Sequence, residues 1–284
     1  MGRVEGKVVA ITGAARGQGR SHALRLAEEG ADIIALDICQ EIPVADYGMS
    51  TSTDLEETAE LVRKLGRRAV TRELDIRDRP ALDRAFAEAV EELGRLDVVV
   101  ANAGISPVGM DRPLSAFTET IDVNLLGSIS TVHAALPHLV DGGSVIVMGS
   151  VAGLAPELAG NAVAGPGGYG YSFSKKTLVD YVDWLAVQLA PKGTRVNAVH
   201  PGNVATRMVQ NESTYRTYRP DLEHPTEADA EVLFRNFHAL GVPLLDPIDI
   251  SHAVVYLASD ESRYLTGVQL KIDAGALAQR AIQR

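Results

Sequence analysis

Seven short runs of β-branched and aliphatic residues recur along this 284-residue chain, and helical patterns separate the first six of them. The runs are KVVAIT, DIIALD, RAVTREL, LDVVVA, GSVIVMG, TRVNAVH and GVQLKID. The intervening patterns include RSHALRLAEEGA, DLEETAELVRKLG and RPALDRAFAEAVEELG, each ending near a glycine that can cap a helix. This alternation predicts a parallel sheet covered by helices on both faces. We therefore expect an α/β chain with a doubly wound, Rossmann-type fold, a seven-stranded parallel sheet and a single domain over residues 1–284.

The composition narrows the class of protein. Hydrophobic residues make up 46% and charged residues 23%, as in ordinary globular proteins. The formal net charge of −10 argues against a nucleic-acid partner, because phosphates would be repelled. Cys39 is the only cysteine, which excludes an intrachain disulfide and fits a reducing compartment. No apolar run approaches the ~20 residues of a membrane span and the N-terminus lacks a signal peptide pattern, so we expect a cytoplasmic protein with no membrane partner.

Three stretches interrupt the alternation, and each follows a strand. They cover residues 38–51, 152–168 and 203–244. Ligands of doubly wound sheets bind beyond the carboxyl ends of the strands, where such stretches begin. The third is long and polar, so it is either a substrate lid or a structural excursion. If it is a lid, the candidate substrate contacts are Met208, Tyr215 and Tyr218.

A glycine-rich turn directly follows the first strand. The sequence TGAARGQG at 12–19 opens a helical pattern, as in sites that bind dinucleotide phosphates. Gly13 permits a tight turn, Gly17 allows the backbone to approach a pyrophosphate, and Gly19 lets the helix pack on the strand. Arg16 and Gln18 lie in the same turn and are included in the predicted cofactor site. A purely structural strand-to-helix turn is the alternative interpretation.

Acidic residues after the next two strands favour a particular dinucleotide. Asp37 ends the second strand, where a carboxylate accepts hydrogen bonds from the adenosine ribose and repels a 2′-phosphate. This favours NAD over NADP, although Arg16 is a basic residue that would suit a phosphate. Asp75 is positioned to hydrogen-bond the adenine amino group, with Ile76 packing on the ring. A solvated loop acid is the alternative for Asp75.

The residues Asn102, Ala103 and Gly104 follow the fourth strand. Small residues at this place let the chain pass close to a bound ribose, and we include all three in the predicted cofactor site. An ordinary tight turn would have the same composition.

A phenol and an ammonium group stand four residues apart in the run YGYSFSK. Residues with this spacing share one helix face, so Tyr171 and Lys175 are predicted to lie together. A free phenol has a pKa of about 10, and a neighbouring cation lowers that value toward the range of a useful base. The pair is a candidate proton donor and acceptor, although amphipathic helices produce the spacing by chance. Tyr169 is the other candidate for this role, but the residue four positions after it is Phe173, so Tyr169 lacks a cationic partner.

The motifs follow one another in a recognisable order. They are TGAARGQG, Asp37, ANAG at 101–104, Asn124 in VNLLG, Ser150 after VIVMG, Tyr171-x-x-x-Lys175, and Pro201-Gly202 followed by Thr206. With these motifs in this order, the chain resembles the short-chain dehydrogenase/reductase family from Lys7 to about Ala276. It departs from the family pattern at ANAG, where Asn-Asn-Ala-Gly is usual, and in the long segment between Ser150 and Tyr171. Neither departure removes a catalytic group.

The resemblance implies a role for each motif in hydride transfer between a nicotinamide and a carbonyl or alcohol. It implies Tyr171 as general acid/base, Lys175 lowering the pKa of Tyr171 and holding the nicotinamide ribose, and Ser150 bonding the substrate oxygen. Asn124 would hold a water that links Lys175 to solvent. Around the nicotinamide we expect Pro201, Val204 and Thr206, with Thr206 bonding the carboxamide or, alternatively, capping a helix.

Within the family, the extended loop after Asp37, the long insert before Tyr171 and the N-terminal sequence are similar to the mycofactocin-associated, carveol dehydrogenase-like branch. That resemblance implies a small secondary alcohol as substrate, firmly held NAD, an external redox carrier of the mycofactocin kind and a homotetramer. Two alternatives remain open, namely an ordinary enzyme with exchangeable NAD(P) and a non-catalytic NAD-binding regulatory protein. A metal-dependent alcohol dehydrogenase is less favoured, because the seven histidines show no zinc-ligand spacing.

Overall fold

A computed structural model describes residues 2–155 and 162–282 of the protein. Its seven parallel strands form one sheet in the order β3-β2-β1-β4-β5-β6-β7. The strands are β1 (Val8–Thr12), β2 (Asp32–Asp37), β3 (Ala69–Glu73), β4 (Leu96–Ala101), β5 (Leu139–Met148), β6 (Arg195–Pro201) and β7 (Gln269–Ile272). The predicted doubly wound α/β fold and its seven-stranded parallel sheet are confirmed.

Helices connect the strands and cover both faces of the sheet. They are α1 (Gly17–Glu28), α2 (Ser52–Lys64), α3 (Arg79–Leu93), α4 (Ser115–Ile121), α5 (Ser128–Ala135), α6 (Val151–Leu154), α7 (Gly165–Leu189), α8 (Glu212–Tyr218), α9 (Glu227–Phe237), α10 (Pro247–Ala258) and α11 (Ala276–Ile282). Local sequence sets several of the ends. Thr51 and Asp54 form a capping box that starts α2, and Gly94 ends α3 in the left-handed conformation at φ 90°.

The central strands are buried on both sides, as their unbroken aliphatic sequences require. Alternate residues of β1 face opposite layers, so Ala10 packs in the same cluster as Phe86 of α3, whereas Val9 packs with Leu26 of α1. The sheet register brings the carboxyl ends of the strands to one edge. The loops that carry the predicted site therefore meet at this edge.

The three interrupting stretches have different structures. Residues 38–51 form a loop without helix or strand, anchored by the buried side chains of Ile42, Val44 and Ala45. Of the stretch 152–168, residues 156–161 lie outside the described residues, and the remainder belongs mainly to α6 and the start of α7. The stretch 203–244 folds into α8 and α9.

A small separate core holds α8 against α9. Tyr215, Ala230 and Phe234 are buried there, and the Tyr218 ring meets Phe234 edge to face with centroids 4.7 Å apart. The segment is thus an ordered unit with its own packing. Within the described ranges, none of the helices combines the length and the apolar character that crossing a bilayer requires.

Candidate active site

A cleft of about 440 Å³ opens at the carboxyl edge of the sheet. It collects most of the residues predicted for the cofactor site. The predicted residues that line it are Gly13, Arg16, Gly17, Gln18, Gly19, Asp37, Asp75, Ile76, Asn102, Ala103, Gly104 and Thr206. Residues that follow or end five different strands, β1, β2, β3, β4 and β6, therefore meet around one cavity.

The glycine-rich turn has the geometry of an anion site. Gly13 and Gly17 adopt φ values of 68° and 54°, which L-residues with side chains rarely do. A side chain at Gly19 would collide with the Gly13 carbonyl oxygen. Helix α1 begins there without a side-chain cap and without an acidic residue in its first turn, so its first N–H groups remain available to an anion.

Two buried polar atoms in this turn have no hydrogen-bond partner among the residues that the structure describes. They are Nη1 of Arg16 and Oε1 of Gln18, and both side chains line the cleft. Burial lowers the pKa of Arg16, and the nearby Arg207 lowers it further. An anionic ligand with hydroxyl or amide groups would satisfy these atoms, since unpaired buried polar groups are costly.

Asp37 stands at the end of β2, almost fully buried. One carboxylate oxygen accepts the backbone N–H of Ala15 at 2.9 Å, and the other accepts from the Ser50 hydroxyl at 2.6 Å and from Cys39 N at 3.3 Å. A carboxylate offers about four acceptor sites, so room for a ligand hydroxyl remains. This geometry fits a ribose diol and opposes a phosphate.

The loops after β3 and β4 complete this cleft. The Asp75 carboxylate is held by the guanidinium of Arg77, with the nearest contact at 2.6 Å, and Ile76 is buried beside it. Asn102 donates from Nδ2 to the Thr12 carbonyl oxygen at 2.9 Å and so ties β4 to β1. Gly104 passes so close to Asn124 that an added Cβ would lie 3.1 Å from Oδ1.

A second, smaller cleft of about 70 Å³ adjoins the first. Five residues line both clefts, namely Gln18, Asn102, Gly104, Thr206 and Met208. The predicted residues that line the second are Ser150, Tyr171, Lys175, Pro201, Val204 and Thr206. Three of the four predicted catalytic residues thus line a cleft that adjoins the predicted cofactor cleft, whereas the fourth, Asn124, lines neither cleft.

Ser150, Tyr171 and Lys175 are brought together by three elements. Ser150 follows β5 and is the N-terminal cap of α6, and its hydroxyl accepts the N–H of Ala152 at 3.2 Å. The same hydroxyl hydrogen-bonds to Tyr171 on α7. Lys175 Nζ lies 5.6 Å from the centre of the Tyr171 ring and donates to the Met148 carbonyl oxygen at 2.7 Å.

The electrostatics differ from the expectation that Lys175 lowers the pKa of Tyr171. Burial raises the pKa of Tyr171, and the hydrogen bond from Ser150 offsets this in part. Lys175 is itself buried, which lowers its pKa to about 8, and its ammonium group is directed to a backbone carbonyl. In this structure Ser150 is the group that favours the phenolate.

Asn124 lies in a π-helical turn, Asp122–Gly127, between α4 and α5. Its side chain accepts the N–H of Ile105 at 2.8 Å and donates to the Ile105 carbonyl oxygen at 2.7 Å. Asn124 therefore fastens the segment after Gly104 beside Lys175. Its expected role in holding a water stays a prediction.

The loop 38–51 contributes contacts that the sequence did not predict. Tyr47 is half-buried and lines the larger cleft, and its hydroxyl accepts the N–H of Ser106 at 3.0 Å. Asp46 pairs with Arg112, whose Nη2 also donates to the Ser213 hydroxyl of α8 at 2.9 Å. We call Asp46, Arg112 and Ser213 the clasp, because they join the loop 38–51 to the segment after β4 and to α8. Tyr47 is the one aromatic residue of the loop 38–51, and this was the only sequence signal.

The three candidate substrate contacts separate in the structure. Met208 lines both clefts, whereas Tyr215 and Tyr218 pack in the α8–α9 core and line neither cleft. The Tyr218 hydroxyl accepts from Asn203 Nδ2 at 2.9 Å, which anchors the segment to the end of β6. Met148, Val204 and Val209 add further apolar surface to the smaller cleft.

The arrangement can bind an anionic dinucleotide in the larger cleft and transfer a proton in the smaller one. A ligand oxygen placed against Ser150 and Tyr171 would meet two hydroxyl groups and an apolar wall. Proton transfer between that oxygen and the phenol is the chemistry these groups support.

Known proteins are similar to this chain in both sequence and fold. A family model described as enoyl-(acyl carrier protein) reductase matches residues 13–276. The chain is 43% identical to (-)-trans-carveol dehydrogenase of Rhodococcus erythropolis, over 97% of this chain and 99% of that protein. A crystal structure of carveol dehydrogenase from Mycobacterium avium in complex with NAD is 48% identical, with a TM-score of 0.91 over 98% of this chain and all of that one. A short chain dehydrogenase from Mycobacterium paratuberculosis bound to NAD is 36% identical, with a TM-score of 0.85 over 98% of this chain and 100% of that one.

Proposed function

This chain belongs to the short-chain dehydrogenase/reductase family, and we propose that it is an NAD-dependent dehydrogenase that interconverts secondary alcohols and ketones. One observation carries the proposal. The side chains of Ser150 and Tyr171 line one small cleft together with Lys175, and this cleft adjoins the larger cavity. A non-catalytic NAD-binding protein would have no use for that pair.

In the proposed reaction Tyr171 accepts the alcohol proton during oxidation and returns it during reduction. Ser150 donates a hydrogen bond to the substrate oxygen as negative charge develops on it. Lys175, protonated below its pKa of about 8, supplies positive charge near the phenol ring. Bound NAD supplies the hydride acceptor for oxidation, and its reduced form supplies the donor in the reverse direction.

The residues of the larger cleft support NAD as the cofactor. The uncapped start of α1 and the unpartnered Arg16 and Gln18 atoms suit the pyrophosphate and the polar groups beside it. Asp37 would bind the adenosine ribose, Ile76 would pack on the adenine, and Asp75 would approach its amino group. We assign Pro201, Val204 and Thr206 to the nicotinamide end because they line the smaller cleft.

The substrate class follows from the catalytic cleft and from the relatives. Met148, Val204, Met208 and Val209 give it an apolar lining, which suits a small apolar secondary alcohol. Two relatives are named for carveol, a secondary alcohol. We propose an alcohol of this kind for this enzyme, with residues 203–244 acting as the lid over it.

We further propose that NAD is held between turnovers and reoxidised by an external carrier of the mycofactocin kind. The clasp supports retention, because it ties the loop 38–51, part of which lines the larger cleft, to Arg112 and to α8. Release of the cofactor would require these contacts and the Tyr47 to Ser106 hydrogen bond to open.

A homotetramer is also part of the proposal. Phe173, Trp184 and Val187 of α7 are each more than half exposed, and their spacing places Phe173 and Trp184 on one face of the helix. Burying such a face between subunits would remove apolar surface from water. We place the enzyme in the cytoplasm on the ground that its single cysteine suits a reducing compartment.

The absorbance of the purified enzyme at 340 nm tests this function. We expect secondary alcohols such as carveol to reduce bound NAD once, with further turnovers only when an artificial electron acceptor is present. Sustained NADH formation from added NAD without an acceptor would support an ordinary dehydrogenase and contradict cofactor retention. Absence of reduction by every alcohol, in enzyme shown to contain NAD, would contradict the dehydrogenase function itself.

A further inference from the structure

His200 is a fully buried histidine directly beneath the candidate catalytic serine. It lies near the end of β6, immediately before Pro201, and its ring packs against Gly149 so closely that a side chain at that glycine would collide with it. Nδ1 of His200 is 3.1 Å from the backbone N of Ser150 and 2.9 Å from the Ser150 carbonyl oxygen. The ring therefore contacts the Ser150 main chain on both sides of its Cα.

The other ring nitrogen is fixed by a chain of hydrogen bonds that runs to the surface. His200 Nε2 lies 2.7 Å from Oε1 of Gln269, and Gln269 Nε2 donates to Asp183 Oδ1 at 2.8 Å and to the Val179 carbonyl oxygen at 3.3 Å. Asp183 and the Val179 carbonyl accept only, so the amide nitrogen of Gln269 must face them. Its oxygen then faces His200, which requires a proton on Nε2.

The neutral ring consequently presents a lone pair at Nδ1, and this lone pair accepts the Ser150 N–H. Burial lowers the pKa of His200 and so favours this neutral form. The charged and titratable groups around the ring are Lys175 and Asp183 on α7, Lys271 on β7, and Tyr171 beyond Ser150. The hydrogen bonds to Gln269 and to the Ser150 backbone raise the pKa of His200, Lys175 and Lys271 lower it, and burial keeps the pKa below its ordinary value. Protonation of Nδ1 would exchange the bond to the N–H for a bond to the Ser150 carbonyl.

We propose that His200 is a positioning residue that holds the Ser150 backbone and thereby sets where the Ser150 hydroxyl meets Tyr171 and the substrate oxygen. The inference rests on the proposed dehydrogenase function and adds to it a group that touches neither substrate nor cofactor. Ser150 is then fixed at two points, by His200 at its N–H and by Ala152 at its hydroxyl. Small displacements of a catalytic group are costly, since about 1 Å can reduce the rate about a hundredfold.

Kinetics of His200→Leu in two backgrounds test the proposal. In the otherwise unchanged enzyme we expect kcat to fall at least about tenfold, with the Kd for NAD unchanged within about threefold. In a Ser150→Ala background the same change should lower kcat by less than about twofold, because its effect passes through Ser150. Equal losses in both backgrounds, or no loss in either, would overturn the proposal.

Three further variants separate positioning from folding. In His200→Asn, Oδ1 can take the place of Nδ1, so kcat should recover at least partly and lose any dependence on His200 protonation at acid pH. Gln269→Leu leaves the ring in place but removes its outer partner, and we expect a smaller loss of kcat than in His200→Leu. His22→Leu removes a buried histidine from α1, away from both clefts, and should leave kcat unchanged. If kcat falls as far in His22→Leu as in His200→Leu, the loss in His200→Leu comes from partial unfolding and the proposal is overturned.

A spectroscopic measurement tests the same contact without relying on turnover. Nitrogen-15 NMR of the histidine-labelled enzyme, with the His200 signal identified by its loss in His200→Asn, should report a neutral ring protonated at Nε2 at pH 7. A ring protonated at Nδ1, or a cationic ring, would overturn the proposal. If the unchanged enzyme oxidises no alcohol, the proposed function fails, and this measurement still decides whether His200 accepts the Ser150 N–H.

Discussion

Acid pH should destabilise this protein through one buried histidine. His22 lies on the inner face of α1, fully excluded from solvent. Its Nδ1 is 2.8 Å from the hydroxyl of Ser251 on α10, and its Nε2 has no hydrogen-bond partner within the described structure. Burial lowers the pKa of His22 from 6.5 to about 3, because the charged ring would lose its hydration.

The size of the effect follows from proton linkage. The unfolded chain binds a proton at His22 below pH 6.5, whereas the folded protein does so only near pH 3. The contribution of neutral His22 to stability is therefore complete above pH 6.5 and is lost as the pH falls toward 3. Each pH unit in this window costs about 1.4 kcal/mol. At pH 5 the folded state should have lost about 2 kcal/mol from this group alone.

Urea unfolding measures the contribution of His22 to stability. The unchanged protein and His22→Leu are compared at pH 7.5 and at pH 5, at one protein concentration. Between the two values of pH, the free energy of unfolding should fall by about 2 kcal/mol more in the unchanged protein than in the variant. His252→Leu is the matched control, because His252 is exposed on α10, the helix that also carries Ser251. It should retain the full dependence on pH. An identical pH dependence in His22→Leu and the unchanged protein would refute the argument from burial.

Three other changes test the cofactor site and the assembly. Asp37→Ser should weaken NAD binding by about tenfold and reduce the preference for NAD over NADP, because the variant loses the charged hydrogen bond to the ribose and the repulsion of a 2′-phosphate. Binding titrations with each dinucleotide measure both effects, and an unchanged preference for NAD would contradict the role assigned to Asp37. Asp46→Ala opens the clasp and should raise the rate of NAD dissociation by about tenfold; an unaltered rate in stopped-flow displacement would show that the clasp does not retain the cofactor. Trp184→Glu should reduce the molar mass of the assembly measured by light scattering, since a charge would be buried at the proposed subunit contact. A tetramer that stays intact would show that α7 does not form this contact.

Most of the fold could be predicted from local sequence. Each strand is a short aliphatic run between helical patterns, and the hydrophobic periodicity assigns those runs without any tertiary information. The glycine-rich turn was equally accessible, because Gly13 and Gly17 occupy conformations that disfavour other residues. Helix α1 begins at Gly17, three residues before the amphipathic pattern RSHALRLAEEGA, because the turn itself supplies the first helical residues.

The contacts that support the site depend on tertiary packing and could not be read from the sequence. His200 and Ser150 are 50 positions apart, and Asp46 and Ser213 are 167 apart. Nothing in the local sequence of His200, Asp46 or Ser213 distinguishes these residues from their neighbours. The electrostatic environment of Tyr171 likewise depends on tertiary packing. Helical spacing places Lys175 beside the ring, but burial raises the pKa of the phenol, and the ammonium group donates to Met148.

The most direct test of the central claim compares Tyr171→Phe with Tyr169→Phe in single-turnover reduction of bound NAD by a secondary alcohol. Tyr169 is an exposed tyrosine on the same helix and makes a matched control. Tyr171→Phe should bind NAD normally and reduce it at least about a hundredfold more slowly, as expected for loss of a general acid/base, while Tyr169→Phe keeps the full rate. An undiminished rate of reduction in Tyr171→Phe would contradict the assignment of Tyr171 as the proton-transfer group.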